Sequence, residues 1–161
     1  MSKKKDEKTN VMRSADSACV AFDDYAYDNT TLSAEEVAAA LGQPPGRVFK
    51  TLVTVAKSGK YYVFMLPAAS ELDLKKAAKA AGEKSIEMLP QKKLFPLTGY
   101  VHGGCSPIGM KRQFPTFIDA SAAQYETIFF SAGKVGRQIE MHLSDLQKIY
   151  PVTAAELVRD T

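Results

Sequence analysis

Lys50 lies in the run Arg47-Val48-Phe49-Lys50-Thr51-Leu52-Val53, where β-branched and aromatic residues dominate. Strand side chains alternate, so Lys50 shares a face with Val48 and Leu52, and Phe49, Thr51 and Val53 take the other. A lysine on an apolar stripe is unusual, because lysine is rarely fully buried. Either its ammonium snorkels to water near a strand end, or it is kept there for chemistry.

A second group is the loop Gly103-Gly104-Cys105-Ser106-Pro107-Ile108-Gly109. Paired glycines let backbone approach a ligand closely. Amide N–H groups aimed that way form an oxyanion hole or an anion nest; the plain alternative is a tight turn. The glycine spacing fits neither a Walker nor a dinucleotide motif. Cys105 and His102 suggest a thiol nucleophile with its base, but such a pair needs hydrogen-bond contact and a third orienting group. The simpler reading of Cys105 is a small apolar filler. Ser131-Ala132-Gly133-Lys134-Val135-Gly136-Arg137 mixes glycines with two cations. That suits a phosphate or nucleic-acid backbone, or else a solvated hairpin turn. The pairs Lys111-Arg112 and Lys92-Lys93 are weaker versions of the same signal. Phe22, Tyr25 and Tyr27, among Asp23, Asp24 and Asp28, wall a small pocket, stack on a base or, as is the default for such residues, pack in the core.

The elements that must position these groups read as a mixture. Ser33 and Glu36 form a capping box for a helix from about Ala34 to Leu41. Gly42 and Pro44-Pro45 stop it. Val48 to Ala56 and Tyr61 to Leu66 read as a hairpin around Lys57-Ser58-Gly59-Lys60. A second helix starts at Asp73, buries Leu74, Ala77, Ala78 and Ala81, and ends at Gly82. Further strands are expected at Ser85–Leu89, Gly99–His102, Thr116–Asp119, Thr127–Ser131 and Gln138–His142. Ser144 with Gln147, and Thr153 with Glu156, predict two short helices around Leu146–Tyr150 and Ala154–Arg159. Strands outnumber helices and their connections are short. The expected fold is therefore α+β: a curved mixed sheet or partial barrel with helices packed outside. Wholly parallel winding would need a helical crossover between successive strands.

The 161 residues fit one domain, 1–161, with a real core. With 45% hydrophobic and 24% charged residues, the composition is that of an ordinary globular protein rather than a disordered or fibrous one. No apolar run approaches the roughly 20 residues of a membrane helix. Two cysteines are too few for a disulfide framework, and no zinc-type His and Cys cluster is present. A reducing, cytoplasmic location is expected. The formal charge of +3 owes much to Lys3, Lys4, Lys5 and Lys8. Residues 1–10 read as a mobile basic tail.

Several of these segments, in order, resemble the YbaK/EbsC family of free-standing trans-editing deacylases. The resemblance rests on Val48-Phe49-Lys50-Thr51-Leu52, on Leu72 to Lys76 with Ala77-Ala78-Lys79-Ala80, and on Thr98-Gly99-Tyr100 through Gly103-Gly104. It continues through Ser106-Pro107-Ile108-Gly109, Pro115 to Asp119 and Ser131-Ala132-Gly133-Lys134, and spans roughly Ala18 to Asp160. It implies hydrolysis of a wrongly charged aminoacyl-tRNA, most nearly Cys-tRNA(Pro), with no cofactor, no metal and no protein nucleophile. Lys50 matches the family's essential lysine, and Gly103 the glycine whose backbone lies against the substrate carbonyl. Tyr25, Thr51, Gly104, Ser131, Gly133 and Gln138 then fall in the substrate pocket. Gln138 departs from the pattern, which often has aspartate there. The implied partners are the acceptor end of an aminoacyl-tRNA and prolyl-tRNA synthetase. A module that binds tRNA or the synthetase without turnover is the competing reading, and a hydrolase using Cys105 and His102 is a third.

Overall fold

The computed structural model describes residues 8–28 and 33–160. Among the described residues there are five α-helices: α1 (Asn10–Ser17), α2 (Ala34–Ala40), α3 (Leu74–Ala81), α4 (Leu94–Thr98) and α5 (Leu143–Ile149). Eight strands accompany them: β1 (Asp23–Ala26), β2 (Phe49–Ala56), β3 (Tyr61–Pro67), β4 (Ile86–Met88), β5 (Thr116–Asp119), β6 (Ile128–Ser131), β7 (Arg137–Met141) and β8 (Val152–Ala155). The class is α+β, as expected from the sequence. The strands form two sheets, an antiparallel one ordered β1-β7-β6 and a mixed one ordered β4-β2-β3-β5-β8. A parallel bridge between Val48 and Phe129 ties β2 to β6.

Local signals placed several elements well. Ser33 accepts from the Glu36 amide while the Glu36 carboxylate accepts from Ser33 N–H, so α2 starts on its capping box. Asp73 caps α3 by accepting from Lys75 and Lys76, and Gly82 ends it at φ 73. The hairpin forms with Lys50 opposite Leu66 and Thr51 opposite Met65.

Other expectations fail for tertiary reasons. Leu74 is exposed, because α3 turns its alanines, not its first residue, toward the sheet. Gly99–His102 is not a strand: the chain makes α4, and Gly99 takes φ 84 as its cap. Helix α5 begins at Leu143 with no side-chain cap, and the Gln147 side chain instead donates to the Val152 carbonyl at 2.9 Å. The expected helix at Ala154–Arg159 is replaced by β8, which pairs in parallel with β5 from Thr116↔Val152 to Asp119↔Ala155. Asp119 then accepts from Leu157 N–H at 3.0 Å, fixing the exit of that strand. Residues 1–7 of the expected tail lie outside the described residues, but its end is ordered. Thr9 accepts from the Met12 amide, and Asn10 opens α1.

The main core lies between the sheets. Phe49, Met65 and Ile118 of the mixed sheet meet Phe130, Ile139 and Met141 of the antiparallel one, with Val11 and Met12 of α1 and Leu146 of α5. A second cluster covers the other face of the mixed sheet, where Phe64 and Leu66 pack on Ala77 and Ala78 of α3. Each fully buried large side chain contributes about 1.5–3 kcal/mol, so the two clusters hold β2 from both sides.

Candidate active site

The Val48–Phe129 bridge fixes how β2 meets β6. Lys50 and Ser131 each lie two residues beyond it, on the bridged pair's face, where the two strands part. Across the antiparallel sheet Ser131 pairs with Gln138, and Gln138 with Tyr25. Directly opposed residues share a face. Tyr25, Gln138 and Ser131 therefore form one row that ends level with Lys50.

Lys50 is half-buried, and its ammonium donates to the Ala68 carbonyl at 3.2 Å. Burial lowers its pKa from the ordinary lysine value, against the opposing fields of Glu35 and Glu71. Gln138 is 6% exposed, yet its Oε1 has no hydrogen-bond partner among the described residues. Thr51 Oγ1 is likewise buried and unpartnered. Thr51, however, lies on the opposite face of β2 from Lys50, toward the inter-sheet core. Buried acceptors without donors are uncommon, and a ligand with N–H or O–H groups satisfies them.

The glycine loop packs against the turn that follows β6. A Cβ on Gly104 would meet the Val135 nitrogen at 3.0 Å, and one on Gly103 would meet Val135 Cγ2 at 3.7 Å. Gly104 donates its amide to the Val101 carbonyl at 2.9 Å, so its contribution is shape. Gly103 is exposed at φ 89, and among the described residues its amide has no acceptor. Gly133 N–H donates to Ser131 Oγ at 3.1 Å, which ties the turn to the row.

Cys105 is buried at 8% exposure, and burial pushes its thiol up to about 12. At neutral pH it is a protonated thiol, which is not the nucleophilic form. His102 beside it is exposed.

One constellation was missed from sequence. Glu140 shares the face of Gln138 and accepts from Tyr25 Oη at 2.6 Å, from Arg47 at 3.1 Å and from Thr127 Oγ1. Burial would raise its pKa, but the bonds from Thr127 and Tyr25 and the Arg47 charge outweigh it and hold the carboxyl below its ordinary value. The Glu140 bond is also the main reason the Tyr25 phenol is raised to about 12. Arg47 lies 5.2 Å over the Phe129 ring, which Tyr25 flanks at 5.4 Å. The period-two spacing of Gln138 and Glu140 was the available signal.

Comparison with known proteins now bears on this arrangement. The aminoacyl-tRNA editing domain family matches residues 28–149. The chain belongs to that family. Its class is accordingly that of an aminoacyl-tRNA deacylase, a hydrolase of ester bonds that serves translation fidelity. EbsC of Enterococcus faecalis, provisionally named a Cys-tRNA(Pro)/Cys-tRNA(Cys) deacylase, is 52% identical over 141 residues, 86% of each chain. YwhH of Bacillus subtilis is 22% identical over 122 residues, 76% of this chain and 77% of its own. A crystal structure described as a candidate trans-editing enzyme for prolyl tRNA synthetase superposes with TM-score 0.79 at 22% identity, covering 96% of this chain and all of the other. The crystal structure of hypothetical protein APE2540 gives TM-score 0.86 at 18% identity, over 94% of this chain and all of that one. These two likenesses concern the fold. Among the described residues no helix is long and apolar enough to cross a membrane.

Proposed function

We propose that this editing domain acts in trans on Cys-tRNA(Pro), hydrolysing the ester between cysteine and the terminal ribose. What supports the reading is the placement of Lys50 level with the Tyr25–Gln138–Ser131 row, in a chain 52% identical to EbsC. The net step adds water across the ester. The acyl C–O bond breaks, the ribose hydroxyl regains a proton, and free cysteine leaves.

The protein supplies position and charge rather than a nucleophile. Lys50 is a fixed cation that orients the terminal adenosine or its phosphate and offsets charge in the transition state. The Gly103 amide donates to the developing oxyanion, a contribution of about 3–4 kcal/mol where such a donor is preorganised. Holding the reacting groups in place contributes up to about 7–11 kcal/mol. Tyr25, Gly104, Ser131, Gly133 and Gln138 bound the pocket, with the Gln138 oxygen as an acceptor for the substrate amino group; Thr51, on the other face of β2, supports that strand from the core side. The substrate's own thiol or a ribose hydroxyl activates the attacking water. Where the thiol itself attacks, the ester C–O bond breaks as a thiolactone forms, the ribose hydroxyl takes the thiol proton, and water then opens the ring to free cysteine. Prolyl-tRNA synthetase is the partner that lends tRNA selectivity.

Hydrolysis of Cys-tRNA(Pro), Ala-tRNA(Pro) and Pro-tRNA(Pro) by wild type and Lys50→Ala tests this, with folding followed by circular dichroism. Cysteine release lost in a folded Lys50→Ala is the expected result. Full activity in that variant removes the role given to Lys50. Release from none of the three substrates by wild type favours the binding module, the reading that Gln138 in place of aspartate keeps in view.

A further inference from the structure

We propose that a cationic groove beside the turn after β6 is a second site, which holds a backbone phosphate of the tRNA acceptor end. The inference rests on the tRNA substrate proposed above. The groove has a volume of about 270 Å3 and lies between the start of α1 and the Gly133–Arg137 turn. Four cations line it: Lys8, Arg13, Lys134 and Arg137. Two of them have carboxylate partners, Asp16 for Lys8 and Asp24 at 3.4 Å for Arg137. Among the described residues neither Arg13 nor Lys134 has a carboxylate within 4.0 Å, and both are exposed. The proposal rests on these two.

The wall of the groove is built. Gly133 takes φ 94, and a Cβ there would come within 3.0 Å of both Asn10 Oδ1 and Val11 Cγ2. The turn thus presses on α1 at a distance that only glycine permits. No acidic side chain stands in the first turn of α1, so its positive end adds to the same field. Paired guanidinium and ammonium groups suit a phosphate, the first as a planar fork and the second as a point charge.

The groove is joined to the substrate row through the turn after β6. Gly133 N–H donates to Ser131 Oγ, so one short turn carries both the end of the substrate row and the wall of the groove. A polyanion whose terminal ester lies at Lys50 has phosphates further along the same strand. One such phosphate in the groove would set the chain's register over the site.

The test reads binding of uncharged tRNA, without hydrolysis, across a salt series. The double variant Arg13→Ala/Lys134→Ala is compared with wild type and with Lys134→Arg. Lys57→Ala, on the β2–β3 turn, serves as a distant control, and circular dichroism checks each fold. In the double variant the slope of log affinity against log salt is expected to become shallower by about 1–2, with several-fold weaker binding at low salt. Lys134→Arg should keep the wild-type slope, and Lys57→Ala should behave as wild type. At constant ionic strength, inorganic phosphate should compete with tRNA in wild type and much less in the double variant. Wild-type affinity and slope in a folded double variant overturn the proposal. So does phosphate binding that depends on these cations while tRNA binding does not, which would mark a free-anion site. A protein that hydrolyses nothing but binds tRNA through Arg13 and Lys134 refutes the deacylase reading and leaves this site standing.

Discussion

A methyl group added at Gly104 is expected to slow deacylation about tenfold in a protein that still folds. Its Cβ would lie 3.0 Å from the Val135 nitrogen, 3.2 Å from Val135 Cγ2 and 3.3 Å from the Lys134 carbonyl carbon. Comfortable contacts lie near 3.5–4.0 Å, so the glycine loop and the 131–137 turn must part by about 0.5 Å. Two of the three atoms are backbone and cannot rotate away. Overpacking of this kind costs about 1–2 kcal/mol, which lowers Tm by roughly 2–8 °C for a chain of this size. Catalysis suffers by a comparable amount, because a misplacement of about 1 Å can cost 10²-fold. Half that movement of Gly103 relative to Ser131 should lower kcat about tenfold. Gly103→Ala is the contrasting variant. Its nearest neighbour would be an ordinary 3.7 Å contact, but φ 89 imposes a backbone penalty of about 1–2 kcal/mol. Single-turnover hydrolysis of Cys-tRNA(Pro), with thermal unfolding of the same samples, measures both effects. A Gly104→Ala enzyme with the wild-type rate and a lowered Tm would falsify the claim that the spacing of these loops sets the reacting geometry.

Lys50 should give deacylation an alkaline limb below the ordinary lysine pKa, because burial lowers its own. A background-corrected pH–rate profile that stays flat through that range counts against it. The linkage sign follows from the same shift: the unfolded chain keeps this proton longer, so stability rises with pH between the folded and unfolded values. Cys105→Ala should turn over as wild type does, since the thiol is raised to about 12 by burial; loss of turnover in a folded variant would restore the thiol nucleophile. Glu140→Gln leaves Arg47 without its carboxylate partner, while its bonds to Gln43 and Thr127 remain, and should cost about 1–3 kcal/mol in denaturant unfolding. The carboxyl's pKa is depressed, so its contribution is present above the unfolded value and lost as pH falls through the folded one. Acid titrations of the two proteins should accordingly converge at low pH.

What the sequence made legible was local. Ser33 with Glu36, Asp73 with Gly82, and the β2–β3 hairpin each depend on residues within a few positions, and each formed as read. Helix α1 went unread although Val11, Met12 and Ala15 form one buried stripe, because it opens at Asn10, inside the lysine-rich stretch that reads as a tail. Strand β8 looked helical because Thr153 and Glu156 mimic a cap, and pairing with β5 overrode that propensity. At the site, Lys50 and the glycine loop stood out by residue type alone. Their relation did not, since it depends on a bridge between residues 48 and 129. Glu140 stayed hidden for the same reason: its partner Arg47 is 93 residues away.

The span matched by the family, residues 28–149, is narrower than the unit that can fold. It begins after α1 and β1, although Val11 and Ala15 are fully buried in the main core. It ends before β8, although Leu157 is fully buried and Asp73 donates its amide to the Leu157 carbonyl. The segments outside that span therefore complete the core, α1 with its Val11 and Met12, and β8, along the edge of the mixed sheet, with its Val152. Contacts of such long sequence separation form late and fold slowly. A chain still emerging from the ribosome would hold the β2–β3 hairpin with its lysine, but not yet the turn that faces it. At the proposed site, editing capacity would thus arrive only when β6 and its turn meet β2, and not with the hairpin alone.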